Sequence, residues 1–170
     1  MDEKYQAAAA ALQERFGVEI SEFRGEVSGV VASEQILAAM TALRDEFGYD
    51  QLVDVTAVDY WPKEEPRFHI VYHLRSLEAA LILCLRVPLS GNFPVHPSVE
   101  GIYPSANWFE REVYDMFGVT FSGHSDLRRI IMPADWQGHP LRKDYPLGYE
   151  EVQFSFNFDE ISKRKPHPKE

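Results

Sequence analysis

The spacing of apolar positions changes several times along the chain, and each change marks an element. Asp2 to Phe16, with the alanine run Ala7 to Ala11, fits a helix, and Gly17 stands where a left-handed residue commonly ends one. Val18 to Phe23 and Glu26 to Ala32 read as two short strands around Gly25, a hairpin. Ser33 is an N-cap residue for a second helix, in which Ile36, Leu37, Met40, Leu43 and Phe47 recur at helical spacing until Gly48 closes it. Gln51 to Tyr60 alternates apolar and polar positions as a strand does, then turns at Trp61-Pro62-Lys63-Glu64-Glu65-Pro66. Arg67 to Arg75 and Ala79 to Val87 form the strongest strand pair, the second so apolar that it belongs in the middle of a sheet. The order α-β-β-α-β-β-β predicts a two-layer α+β domain over residues 1–87, with helices on one face of a mixed sheet.

After Val87 the character changes. Residues 88–104 hold Pro88, Pro94, Pro97 and Pro104 with Gly91 and Gly101, which allows at most a short helical turn and reads as a connection. Ser105 then caps a third helix, Ala106 to Phe117, stopped by Gly118, and loops complete residues 105–147. A compact domain rarely needs roughly 50 residues of irregular chain. Residues 148–170 are therefore expected to form a long extended C-terminal arm that lies on another protein. Within it Phe154, Phe156 and Phe158 alternate with Gln153, Ser155 and Asn157, which puts three rings on one face of a strand between Tyr149 and Asp159.

Composition narrows the class of protein. Apolar residues make up 45% of the 170 positions and aromatic ones 13%, too many for a disordered chain and enough for a core. The net charge of −10 argues against duplex nucleic acid or an anionic membrane as the main partner, since both select a positive face. The acids concentrate in residues 1–60, while the last third is mixed in sign. Cys84 is the single cysteine, so an internal disulfide, a four-cysteine zinc site and a four-cysteine iron–sulfur cluster are excluded within this chain. The first residues lack a secretory signal pattern and no run approaches a membrane span, so the expectation is a cytosolic protein or a soluble subunit of something larger.

Candidate chemistry is sparse. No phosphate-binding loop, dinucleotide fingerprint, zincin motif or nucleophile elbow is present. His69 and His73, four apart on a strand, are too far apart to share a metal. His96, His124 and His139 stand singly in loops, where structural hydrogen bonding is expected. Trp61, Trp108 and Trp136 are expected to be core or interface anchors. Glu112 and Asp115, three apart on the third helix, have the spacing of an acid and base pair. Ion pairing with Arg111, with Arg128-Arg129 or with Arg142-Lys143 is the favoured role.

The run Trp108-Phe109-Glu110-Arg111-Glu112-Val113-Tyr114-Asp115-Met116-Phe117-Gly118-Val119-Thr120-Phe121, followed by Gly123-His124-Ser125-Asp126-Leu127-Arg128-Arg129-Ile130, closely resembles the signature of the C-type, 30-kDa-type subunit family of NADH-quinone oxidoreductase, respiratory complex I. The resemblance continues through Met132-Pro133, Asp135-Trp136 and Gly138-His139-Pro140-Leu141-Arg142-Lys143-Asp144-Tyr145-Pro146. One departure is Ser125, where the family usually has proline.

The resemblance implies a core subunit of the hydrophilic arm of a proton-translocating complex, on the cytoplasmic side of the cell membrane and bound to it only through the assembled complex. It further implies no catalytic, cofactor-binding or metal site in this chain, with FMN and iron–sulfur clusters carried by partner subunits. Its partners would be the hydrogenase-like, D-type subunit at the quinone site and other hydrophilic-arm subunits. Glu110, Arg111, Glu112, Tyr114, Asp115, Phe117, Gly118, His124, Asp126, Arg128, Arg129, Arg142, Lys143 and Asp144 carry over as fold and interface determinants. The charged members are expected to form a salt-bridge lattice holding the third helix to the following loop and to the partner, with Arg128 a desolvated member. Homologous subunits of membrane-bound hydrogenases and antiporter-linked complexes share the family pattern. A stand-alone acid–base enzyme using Glu112 and Asp115 is the reading outside the family.

Overall fold

Helical and two-residue periodicities alternate in the folded chain as they do in the sequence. In the computed structural model, which describes residues 3–63 and 65–146 and only the backbone of Glu3 and Lys4, helix α1 (Glu3–Phe16) leads into strands β1 (Glu19–Phe23) and β2 (Glu26–Val30). A short 3-10 turn (Ser33–Gln35), helix α2 (Ile36–Phe47) and strands β3 (Gln51–Asp59), β4 (Phe68–Ser76) and β5 (Leu81–Leu89) follow. Strand β6 (Val95–Pro97), helix α3 (Ala106–Phe117) and strand β7 (Thr120–Ser122) complete the described elements. The expected tail strand between Tyr149 and Asp159 lies outside the described residues.

The main sheet has the order β1-β2-β5-β4-β3. Only β2 and β5 run parallel, so the sheet is mixed and the α+β expectation holds. At the β1–β2 turn both Arg24 (φ 53°) and Gly25 (φ 83°) are left-handed, the twist that a two-residue hairpin needs. One sheet face, with Val55, Tyr72, Leu74, Leu83 and Leu85, is buried in one cluster with Leu12, Met40 and Leu43 of the helices. The other face carries Val53, Asp54, His73, Ile82 and Cys84, none of them fully buried.

Several expectations are corrected. Strand β5 does not stop at Val87 but runs through Pro88, which stands opposite His69. Pairing with β2 ends at Arg86, so Pro88 lies at a local edge where a missing N–H is tolerated. Neither predicted serine caps its helix: Ser105 has helical angles and no capping hydrogen bond, because the preceding turn offers Tyr103 O to Ala106 N and Pro104 O to Asn107 N. Ser33 turns its hydroxyl instead to His96 Nδ1, 2.7 Å away. The core also continues past residue 87, taking in Val99, Tyr103, Val113, Phe117 and Phe121.

His96 itself is not a loop residue. It sits on β6, which pairs parallel with β7, and is fully buried beside Tyr72 and Phe121. Burial pulls its pKa down to about 4. A histidine ordinarily titrates near 6.5, so the unfolded chain takes up a proton first as pH falls. The stability held by neutral His96 is present above about pH 6.5 and is lost on the way down to about pH 4. We expect His96 to contribute about 2 kcal/mol to the loss of stability between pH 7 and 5. Urea midpoints of the wild type and His96→Gln across that range should show the steeper fall in the wild type alone.

Candidate functional site

Helix α3 and the chain after it are held together by charged side chains that turn inward. Asp115 is fully buried, and its Oδ2 accepts the N–H groups of Ile130 (3.1 Å), Ile131 (2.8 Å) and Met132 (2.8 Å). Its Oδ1 takes Arg129 Nη1 at 2.6 Å. Burial alone would raise this carboxyl, but the N–H groups and the guanidinium hold it below the usual value. Arg129 Nη2 also donates to the carbonyls of Trp136 and Gly138, both at 2.9 Å. One arginine thus gathers three points of the loop onto the helix.

Arg111 adds a second tie. Its Nε and Nη2 donate to the carbonyls of Arg128 (3.2 Å) and Arg129 (3.3 Å), and its guanidinium lies 5.1 Å from the Trp108 ring. Glu110 is also fully buried and accepts Ser98 Oγ (2.6 Å) and Val99 N (2.7 Å), while burial raises its pKa. His124 accepts Asp126 N at Nδ1, so its proton sits on Nε2 and points to Asn107 O at 3.1 Å. Ser125, the departure from the family pattern, donates both N–H and hydroxyl to Glu100, at 2.9 and 2.7 Å, and with Asn107 holds that carboxyl down at about 2. A proline would remove both donors.

Gly118 ends α3 at φ 76°, and a Cβ there would meet His139 Cδ2 at 2.6 Å. His139 is anchored by Nδ1 donating to Asp115 O at 2.9 Å and packs edge-on against Tyr114. Phe117 is buried in the core. Gly118→Ala should therefore cost more than about 1 kcal/mol from strain and contact together. A thermal melt of Gly118→Ala with His139→Ala should recover the contact part only.

A second cluster binds the last described segment to the sheet. Arg67 is fully buried, 4.8 Å from both the Trp61 and Phe68 rings. It grips Asp59 through Nε (3.1 Å) and Nη2 (3.0 Å), reaches Asp144 Oδ1 at 2.9 Å, and donates to Asn92 Oδ1. Asp59 also accepts Lys143 N at 2.9 Å. Arg142 pairs with Asp144 and donates to Asn92 O at 2.8 Å. Burial opposes the ionised form of Asp144, yet the two guanidiniums hold it at about 2.

Sequence reasoning selected Arg142, Lys143 and Asp144 but not Asp59, Arg67 or Asn92. One signal was available: Asp59 follows Val55 and Ala57 at a period of two, so an acid stands on the inward face of a strand. Lys143 contributes its backbone N–H to this cluster. Arg128 corrects an expectation. It is exposed and pairs with the also exposed Asp126 at 2.8 Å, so Arg128→Ala should change stability by less than about 1 kcal/mol. Glu112 is exposed while Asp115 faces the interior, so the two do not share an environment.

Around these inward charges stand exposed apolar side chains. Trp108 is 60% exposed, Ile131 57% and Leu141 54%. Among the described residues, no group of three or more His, Cys, Asp or Glu side chains could hold a metal ion, and no helix is long and apolar enough to cross a membrane.

Residues 30–151 match the family described as respiratory-chain NADH dehydrogenase, 30 Kd subunit. The chain is 49% identical over 152 residues to the C-type subunit of NADH-quinone oxidoreductase from Roseiflexus sp. (strain RS-1), covering 88% of this chain and 87% of that one. It is 46% identical over 143 residues to the corresponding subunit from Geobacter sulfurreducens, covering 82% and 88%. Among solved structures it resembles the trypsin-resistant fragment (1-134) of Nqo5, with a TM-score of 0.61 and 32% identity over 72% of this chain and 96% of that chain. A chain of the membrane-bound sulfane sulfur reductase, an archaeal respiratory membrane complex, shares the fold at a TM-score of 0.74 and 24% identity, over 95% and 91% of the two chains.

Proposed function

Since the chain belongs to the family of the 30-kDa subunit of the respiratory-chain NADH dehydrogenase, we propose that it is a non-catalytic core subunit of the peripheral arm of a proton-translocating NADH-quinone oxidoreductase. In this reading it scaffolds the hydrogenase-like subunit at the quinone site and so supports electron transfer from NADH to quinone. FMN and the iron–sulfur clusters sit in partner subunits, and the assembled arm stands on the cytoplasmic side of the membrane.

The observation that carries the scaffolding role is the division of labour at α3. Asp115, Arg129 and Arg111 use their hydrogen bonds within the chain, so they shape a surface instead of presenting reactive groups. The exposed Trp108 and Ile131 stand on the outside of that shape. Trp and Arg are among the residue types enriched at the energetic centres of interfaces.

The test is Trp108→Ala combined with Ile131→Ser in the whole complex. Loss of an anchor worth about 2 kcal/mol weakens association roughly 30-fold, so less of the quinone-site subunit should co-purify with the tagged variant. NADH:quinone turnover per assembled complex should stay at the wild-type value. Full assembly with lost turnover would overturn the scaffolding reading in favour of a direct catalytic part.

A further inference from the structure

On the sheet face turned away from the core, three chemically active residues stand side by side on adjacent strands. Asp54 of β3 is the register partner of His73 of β4, and His73 is the register partner of Cys84 of β5. Residues opposed in this way project from the same face with Cβ atoms about 4.5–5.5 Å apart. Asp54 Oδ1 lies 2.7 Å from His73 Nδ1. That contact places the ring proton on Nδ1 and leaves Nε2 as the basic nitrogen, the arrangement by which a carboxylate orients a histidine for proton transfer.

The same three residues line a cavity of about 400 Å³. Val53 and Ile82 give it apolar walls, and Glu26 adds a second acid to its rim. The cavity is separate from both charge clusters described above, and the family reading assigns it nothing. We propose that it is a thiol-modification site, in which Cys84 exchanges with a small cationic disulfide and His73 serves as the base.

The exchange balances within the site and its co-reactant. The Cys84 thiol proton passes to His73 Nε2 as the sulfur bonds to one sulfur of the disulfide. The other sulfur leaves as a thiolate and takes that proton from the imidazolium. Cys84 is oxidised to the mixed disulfide and the released half is reduced to a thiol.

The surroundings set the demand for a base. Burial raises the Cys84 thiol above its ordinary value, with Asp54 and Glu26 pushing the same way and Arg86 opposing. Thiolate is therefore scarce near neutral pH, and reactivity depends on proton removal by a neighbour. The other group facing the cavity is Tyr5 from α1, whose hydroxyl is engaged with the Ile82 backbone at 2.9 and 3.1 Å. Among the described residues, the carboxylates that line the cavity are Asp54 and Glu26, which selects a cationic partner over an anionic one.

Cystamine and glutathione disulfide serve as the cationic and anionic probes on the full chain. Cys84 is the single cysteine, so every adduct seen by intact mass reports this site. His73→Gln should slow the reaction with cystamine roughly 100-fold at pH 7. Asp54→Asn should give a smaller loss. Relative to free cysteine, the folded protein should favour cystamine over glutathione disulfide. Absence of an adduct on the folded chain, an unchanged rate in both variants, or a preference for glutathione disulfide would each overturn the proposal.

Discussion

Asp59→Ala is expected to destabilise the protein by about 3–5 kcal/mol, the cost of leaving a buried charge without its partner. Asp59 is 3% exposed and Arg67 not at all, so the guanidinium that loses its carboxylate has no water to turn to. Asp144 still reaches Arg67, but its side chain is about a third exposed and supplies one oxygen where Asp59 supplied two. For a chain of this size the melting temperature should drop by roughly 6–20 °C. Replacing both partners, as in Asp59→Leu with Arg67→Met, should cost far less, because no charge is then left in the core. A melt of Asp59→Ala within about 1 kcal/mol of the wild type would show that the pair contributes nothing of note.

The same pair predicts an acid response. Burial works against the Asp59 carboxylate, but Arg67 and the N–H groups of Lys143 and Trp61 outweigh it and lower its pKa. A carboxyl whose folded value lies below its unfolded value of about 3.9 stabilises the fold above that pH. The contribution disappears as pH falls through the folded value. Asp59→Ala should therefore flatten the acid limb of the stability curve. It should also release Lys143, whose N–H is held by Asp59 from 84 positions away, and expose residues 139–146 to protease.

Asp115→Ala should have an effect of similar size, about 3–5 kcal/mol, but a more local one. Four donors converge on this carboxylate, three of them consecutive backbone N–H groups. Removing it leaves Arg129 half-satisfied and Ile130, Ile131 and Met132 with no acceptor. Amide exchange at those three positions should accelerate well beyond the change in β4 and β5, and assembly into the complex should fall with it. Equal acceleration in the sheet would mean that the loop and the domain unfold as one unit. Arg128→Ala, one position from Arg129, is the matched control for amide exchange and should leave it near the wild type.

The contrast between Arg128 and Arg129 shows where sequence reasoning stops. The two are adjacent, identical in type and part of one signature, yet one is solvated and the other is folded against Asp115. Sequence alone singled out Arg128 as the desolvated group, whereas within this chain it is Arg129 that is packed against a buried carboxylate. Ser33 and Ser105 failed as caps for a related reason: each was judged by its local pattern, and the acceptors and donors that decided the matter came from His96 and from the Tyr103–Ser105 turn.

What the sequence determined by itself were the features that depend on a few neighbouring residues. The period of two in β3, the apolar run of the central strand β5, the helical spacing in α2, the stops at Gly48 and Gly118, and the signature from Trp108 onward were all legible there. Tertiary structure alone decided which charges lie inside. A carboxylate becomes strongly held only when distant segments exclude water from it and aim donors at it. Asp59, Arg67, Asn92 and Lys143 come from β3, the start of β4 and two loops, brought together by the sheet. Local periodicity sets the faces of each element, whereas the energy of a buried charge depends on everything packed around it, which no window of sequence contains.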